Sequence, residues 1–413
     1  MERVFITGRG LVTPLGNGLA ANEAALRSGA SGIVQVPEFI ERGLDSIVGG
    51  MVDENPPVGD LVDRKKMRYC PPTAVMSVYA VNEALQEAGL QKEELGKYRV
   101  ALIGGTATGN NREIFGEASK YMESGKRLRV VNLYSVPRVM PSSAISNLSL
   151  IFGIKGETYD ISAACASGAL AVIVGTRLIR SGMYDMVIAG GAESLDWVTA
   201  LGFNAIRALS RKYNEDPARA SRPFDRGRDG FVLAGGAGYV ILESERCVRE
   251  RGGRPISEVA GVASNSNGID MVVPDAASCA DVMRASVLDA GLNPADIGYI
   301  NTHGTATPVG DPVEMEAIRT VFGSSVAINS TKSQTGHMVG ATGAAEIIFS
   351  SLMLEKHFLS RSINLEDPEP DFSWADLLTE YREGTNVRYA LSNSFAFGGS
   401  NASVVIGDCG TGM

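Results

Sequence analysis

Histidine is almost missing from this chain: three residues in 413, at positions 303, 337 and 357. Cysteine is scarce too, and the five present (Cys70, Cys165, Cys247, Cys279 and Cys409) form no C-x-x-C pair and no regular spacing. That excludes a zinc site of paired cysteines and a disulfide framework, and a reducing cytoplasm is the expected compartment. Positive charge is in deficit, with a net of −9 at pH 7, which argues against general nucleic-acid binding. The uncharged run Ile161–Thr176 is too short and too rich in small residues to span a membrane. No basic, apolar, small-residue leader precedes Val4-Phe5-Ile6-Thr7-Gly8, so no signal peptide is expected.

What is present describes a compact α/β protein. Hydrophobic residues make up 44%, charged residues 21%, and 48 glycines supply tight turns. A chain this long exceeds the size at which one core stops growing, so two domains or two fused halves are expected. Short apolar strands alternate with helical patterns: strands at 4–8, 100–105, 186–191 and 239–242, helices at about 20–28 and 72–88. This alternation indicates βαβ units and a largely parallel sheet. Gly252-Gly253-Arg254-Pro255 interrupts the pattern, placing a boundary between 1–252 and 253–413. Strands at 297–301, 326–329, 389–391 and 403–406 follow, with a small-residue helix at about 343–355. The order strand, small-residue turn, reactive side chain, apolar helix occurs around Cys165 and again around His337, which indicates an internal duplication.

Cys165 sits in Asp160-Ile161-Ser162-Ala163-Ala164-Cys165-Ala166-Ser167-Gly168, between a strand and an apolar helix spanning 168–180. At a helix N-terminus the unpaired N–H groups and the dipole favour thiolate over thiol. A small buried core residue is the plain alternative for a cysteine. His303 and His337 lie in glycine-flanked loops after strands, where α/β proteins place active sites, whereas His357 has the setting of a surface residue. One Cys and two His without metal-like spacing point to acyl chemistry through a thioester. In a Cys/His hydrolase one histidine would be a base oriented by an Asn or Asp. In a condensing enzyme both histidines would act on a second substrate that becomes a carbon nucleophile. With no evident orienting partner, the residues lean toward the second.

Four segments carry a resemblance: Ser162–Gly168, Asn301–Asp311 (Asn-Thr-His-Gly-Thr-Ala-Thr-Pro-Val-Gly-Asp), Thr331–His337 (Thr-Lys-Ser-Gln-Thr-Gly-His) and Ser392–Asn401 (Ser-Asn-Ser-Phe-Ala-Phe-Gly-Gly-Ser-Asn). In this order they resemble the β-ketoacyl-acyl-carrier-protein synthases, condensing enzymes of the thiolase fold. The stretch Ala208–Asn214 with Ser221–Asp225 is similar to the synthase I branch rather than synthase II. The resemblance implies two duplicated halves in a layered α-β-α-β-α core. It implies that Cys165 accepts an acyl group from phosphopantetheine on an acyl carrier protein, with no resident cofactor and no metal. Malonyl carrier protein then loses CO2, with His303 and His337 each presenting an N–H to the enolate. The carbanion attacks the Cys165 thioester, and the N–H groups of Cys165 and Phe397 hold the oxyanion. It further implies that Lys332 and Glu346 support His337, that Thr305 and Thr307 bond the pantetheine amides, and that Thr108 lies at the bottom of the acyl pocket near a dimer interface. A homodimer is implied, or a heterodimer with a related subunit.

Three functions share these motifs: elongation in fatty-acid synthesis, a ketosynthase of a polyketide, polyene or other specialised pathway, and a non-catalytic chain-length partner. Cys165 with both histidines speaks against the last. An acidic enzyme needs local basic patches to dock an acidic carrier protein, and Lys65, Arg68, Lys126, Arg127 and Arg207 are the candidates. One departure stands out. The family's gating loop reads Phe-Gly-Phe-Gly-Gly, and here the first glycine is Ala396. If that position needs φ > 0, alanine costs about 1 kcal/mol and stiffens the gate.

Overall fold

The computed structural model describes residues 2–324 and 326–409. Ten strands form the frame. In the first half they are β1 (Val4–Thr13), β2 (Val100–Gly105), β3 (Thr158–Ile161), β4 (Met186–Glu193) and β5 (Gly236–Ser244). In the second they are β6 (Ser257–Ser266), β7 (Tyr299–Asn301), β8 (Ala327–Asn329), β9 (Tyr389–Phe395) and β10 (Ser400–Asp408).

The first half runs β1-β5-β4-β2-β3, with two antiparallel pairings followed by two parallel ones. The second runs β6-β10-β9-β7-β8 with the same two antiparallel and two parallel pairings. The fold is therefore a duplication, and each half has one copy of the same strand order. The copies join edge to edge where Phe5 faces Glu258 and Ile6 faces Ser257. At the outer end of the second half, Asp376–Leu377 covers β8, while β3 ends the sheet at the other side.

Strands β2, β4 and β5 are buried along their whole length, which requires a layer on each face. Helix α1 (Pro72–Glu87) packs outside on β1 and β5, and α3 (Ala276–Asp289) occupies the matching place on β6 and β10. Between the halves run α2 (Ser167–Arg180) and α4 (Thr342–Glu355). Helix α4 is buried from Thr342 to Leu354, as its all-round apolar sequence demands. Helix α2 is less enclosed than its composition suggests: Leu170, Val174 and Leu178 form a half-buried stripe beside an exposed Arg177. The layers are thus helix, sheet, paired helices, sheet, helix.

The two central helices meet at their N-termini, and glycine makes the approach feasible. A Cβ on Gly168 would lie 2.7 Å from the carbonyl oxygen of Gly340, and one on Gly343 would lie 2.7 Å from the Ala169 methyl. Both helices are preceded by a 3-10 turn, Ala164–Ala166 and Val339–Ala341. The duplication thus sets Cys165-Ala166-Ser167-Gly168-Ala169 against Gly340-Ala341-Thr342-Gly343-Ala344. This corrects the sequence reading in one respect. The counterpart of Cys165 is Gly340, and His337 lies three residues before it.

Candidate active site

Strand β3 delivers the chain to a sharp elbow. Ala164 takes φ = 45°, a left-handed conformation that costs an alanine roughly 1 kcal/mol and is held by its surroundings. The Ser167 hydroxyl fixes it, accepting the N–H of Ala163 at 2.9 Å and donating to the carbonyl of Ala164 at 2.7 Å. Cys165 then points inward, 9% exposed. Its sulfur faces its own N–H and the N–H of Phe397. Those donors and the Lys332 charge favour thiolate, yet burial outweighs them and pushes the thiol up to about 12. The expectation of an activated thiolate at rest is therefore overturned. Desolvation wins over the helix terminus.

His337 lies against the thiol. The chain turns through Lys332–Thr335 and Gly336 (φ 71°). The backbone of His337 is then clamped to the first half: its N–H donates to Val232 at 2.7 Å and its carbonyl accepts from Ala234 at 2.9 Å. The ring lies with Nε2 3.0 Å from Cys165 Sγ and Nδ1 3.0 Å from the Thr342 hydroxyl. His303 follows β7, in a loop tied down by Glu314, which accepts the N–H groups of His303 and Gly304 at 2.9 and 2.7 Å. The Asn393 amide donates to the same carboxylate at 3.2 Å. The two imidazoles meet edge to face, with centroids 5.3 Å apart. Sulfur and a nitrogen of each ring lie within 4.8 Å of one another.

Burial, and then the Lys332 cation, push both imidazoles well below the usual histidine range; His337 adds to the effect on His303. Both rings are neutral at pH 7. Lys332 and Glu346 form a fully buried pair at 2.7 Å, with Thr331 donating to the same carboxylate at 3.2 Å. Burial raises the Glu346 carboxyl, and Lys332 pulls against that rise. The Lys332 cation thus acts on both rings, and Glu346 is tied to the site through Lys332.

A cavity of about 280 Å³ opens onto these groups. Thr305 and Thr307 line it with their hydroxyls 3.2 Å apart, and Arg207, Phe203, Ala396 and Phe397 complete the near wall. Thr108 does not line it; its hydroxyl donates to Glu193 at 2.6 Å. Ala396 is buried in the wall, but the left-handed residues of its loop are Gly398 and Gly399. Alanine therefore carries no φ penalty there, and the expected stiffening by strain is withdrawn. Lys65, Arg68, Lys126, Arg127 and Arg207 are all exposed. Arg68 donates to the Tyr134 hydroxyl at 3.1 Å, and only Arg207 of the five reaches the cavity.

Three participants escaped the sequence reading. Thr342, five residues after His337, had a signal in its place at the head of an apolar helix. Phe231, whose ring stands edge-on to His337 at 5.4 Å, is remote in the chain and had none. Glu314 could have been suspected as a carboxylate in the mostly apolar face of the helix Gly310–Phe322.

Residues 1–246 match the family model described as the N-terminal domain of beta-ketoacyl synthase, and residues 256–366 match its C-terminal domain. The 3-oxoacyl-[acyl-carrier-protein] synthase 1 of Escherichia coli K12 is 40% identical over 411 residues, covering 98% of this chain and 99% of the relative. A beta-ketoacyl synthase crystal structure from Burkholderia phymatum superposes with a TM-score of 0.93 at 32% identity, over 99% of this chain and all of the other. A type II PKS acyl-carrier protein in complex with its ketosynthase bound to the hexaketide gives 0.90 at 28%, over 98% and 99%.

Proposed function

The chain belongs to the β-ketoacyl synthase family, and from that premise we propose that Cys165, His303 and His337 perform a decarboxylative Claisen condensation in fatty-acid elongation. The observation that carries this reading is the Cys165 sulfur and both neutral imidazoles within 4.8 Å, with the sulfur facing the Phe397 N–H.

The steps follow from the geometry. His337 Nε2 takes the Cys165 proton as the sulfur attacks an acyl thioester of phosphopantetheine. The N–H groups of Cys165 and Phe397 stabilise the tetrahedral oxyanion, at a typical worth of about 3 kcal/mol per donor. The pantetheine thiolate leaves with the proton. Malonyl thioester enters next, and its carboxylate carbon–carbon bond breaks to release CO2. Its thioester oxygen becomes an enolate facing N–H groups of His303 and His337. Neutral rings suit this step, because a cationic donor would trap the enolate. The enolate carbon attacks the Cys165 thioester, the β-ketoacyl product departs, and the Cys165 thiolate leaving group takes up one proton from solvent, the proton that the overall reaction consumes. Thr342 fits both phases, since its hydroxyl can accept from Nδ1–H while Nε2 is a base and donate to Nδ1 when Nε2–H is a donor. The reading requires no resident cofactor, as phosphopantetheine arrives on the carrier protein.

In this reading residues 1–252 bring the thiol and 253–413 both histidines. Thr305 and Thr307 hold the pantetheine and Ala396 with Phe397 walls the entrance, while Thr108, outside the cavity, is bound to Glu193 instead of bordering the acyl chain. The exposed cations Lys65, Arg68, Lys126, Arg127 and Arg207 dock the carrier protein. Among the described residues strand β3 has no partner on its outer side, and Ile114, Leu128, Leu133 and Val136 are exposed (Leu133 93%), which supports assembly with a second copy or a related chain.

The test uses defined acyl and malonyl carrier proteins with parent and Cys165→Ala protein. β-Ketoacyl product and CO2 from the parent, and no condensation from the variant, are expected; equal product from both sinks the reading. Likeness to the hexaketide-bound ketosynthase favours a second reading, a specialised pathway, which multiply extended unreduced product would reveal. A chain-length partner would leave Cys165 unlabelled by iodoacetamide. Charge reversal at Lys65 and Arg68 should raise KM for carrier-protein substrates while sparing a pantetheine-only substrate; an equal loss on both assigns the patch to structure.

A further inference from the structure

Strand β4 is apolar or glycine from Met186 to Ala192 and ends in Glu193, 1% exposed. Among the described residues no cation contacts this carboxylate. It is instead held by four donors from two loops. Oε1 accepts the N–H and hydroxyl of Thr108 at 3.2 and 2.6 Å, and Oε2 accepts the N–H of Ala107 at 2.9 Å and of Gly340 at 3.1 Å. Ala107 and Thr108 follow β2 on the side of the Cys165 elbow. Gly340 lies in the turn that begins with His337.

That turn is strained. Val339 takes φ = 44°, which for a β-branched side chain costs on the order of 1–3 kcal/mol and persists only where neighbours fix it. The next residue is the one Glu193 grips. Gly340 has no room for a side chain, since a Cβ would come 2.6 Å from the Ala107 nitrogen and 2.8 Å from the carboxylate. Its carbonyl presses on the start of α2 three residues after Cys165. A single carboxylate therefore ties the Thr108 loop to the His337 turn, and the Gly340 carbonyl of that turn abuts the base of the cysteine helix. Once ionised, above about pH 7, its negative charge also opposes ionisation of Cys165.

We propose that Glu193 is a positioning residue for the condensation, locking the Thr108 loop to the His337 turn so that His337 stays aligned on Cys165. This rests on the reading of Cys165 and His337 as reacting groups. The assignment separates two quantities that a merely structural residue would move together. Glu193→Gln removes the charge beside the thiol and turns an NH2 group toward N–H donors. Iodoacetamide alkylation of Cys165 should then become faster at pH 8, with its pH profile displaced downward. Condensation kcat should fall about 30-fold, with KM for the malonyl substrate within about threefold of the parent. Parallel loss of alkylation and condensation overturns the proposal, as does an unchanged kcat. If Glu193→Gln fails to fold, Thr108→Val removes one donor at nearly constant volume. A kcat lowered severalfold with a native alkylation rate supports the lock, and any other combination overturns it. Condensation surviving full alkylation of Cys165 in the parent would instead refute the underlying functional reading, whatever Glu193 does.

Discussion

A thiol raised to about 12 beside an imidazole pushed below its usual range shares a proton without giving it up at rest. In the proposed mechanism nucleophilicity arises when a thioester carbon arrives and Nε2, 3.0 Å away, takes the proton in the same event. Alkylation of Cys165 should therefore keep rising with pH through the alkaline range, with no plateau near neutrality. A plateau by pH 7 would mean a preformed ion pair. The hydroxyl behind the ring gives a second expectation. Thr342→Val removes the hydroxyl that pairs with Nδ1, worth about 1 kcal/mol, so kcat should fall five- to tenfold with little change in melting temperature. The Lys332–Glu346 pair behaves differently, because breaking a buried ion pair leaves one charge uncompensated. Lys332→Met should cost about 3–5 kcal/mol in denaturant unfolding. Adding Glu346→Met should restore much of that stability but no activity, since both imidazoles have lost the cation that helps keep them neutral.

At the scale of elements, the site depends on how closely α2 and α4 approach. Gly343→Ala would place a methyl 2.7 Å from both the Ala169 Cβ and the Ser394 hydroxyl, and should cost about 1–3 kcal/mol by overpacking. It should also depress kcat more than KM, because the shift is felt at the Cys165 and Thr342 ends of the two helices. The buried strands were legible in the sequence through their β-branched runs, and β2 was read residue for residue. Others proved longer: β1 continues to Thr13, β4 to Glu193 and β9 to Phe395, through polar or glycine positions whose partners lie on distant strands. The duplication was legible, but the matched turns were misaligned because the reactive side chains drew attention from the repeated small residues. The thiol's ionisation and the φ of Ala396 were not legible at all. Each depends on packing from several segments, and local sequence carries no record of that.

For the whole molecule, buried carboxyls set the response to pH. Burial raises Asp160, Glu193 and Glu314 to about 7 and Asp311 to about 6. With unfolded values near 4, the folded chain holds more protons between about pH 4 and 7, so this contribution to stability is complete in acid and declines as pH rises through 7. His303 and His337, depressed by burial, act oppositely: their contribution is present above about 6.5 and lost as pH falls. Asp160→Asn has no proton to lose, so it should gain on the parent by a few kcal/mol between pH 5 and 8 in unfolding experiments. A constant difference would show that Asp160 ionises normally. Among the described residues no helix is long and apolar enough to cross a membrane. On the proposal that Leu133 and Val136 pack against a second copy, Leu133→Asp with Val136→Asp should shift the sedimentation coefficient toward a monomer.

The short seam at Phe5–Glu258 and Ile6–Ser257 has a consequence for how the protein comes to work. Each half owns a complete set of strands, but neither owns a complete reaction centre. The thiol comes from one half, both imidazoles from the other, and the backbone of His337 is anchored on Val232 and Ala234 across the divide. Catalysis is then a reporter of docking rather than of folding. In refolding, helical signal should recover before turnover, and fragments cut at 252/253 should be inert singly and active when mixed.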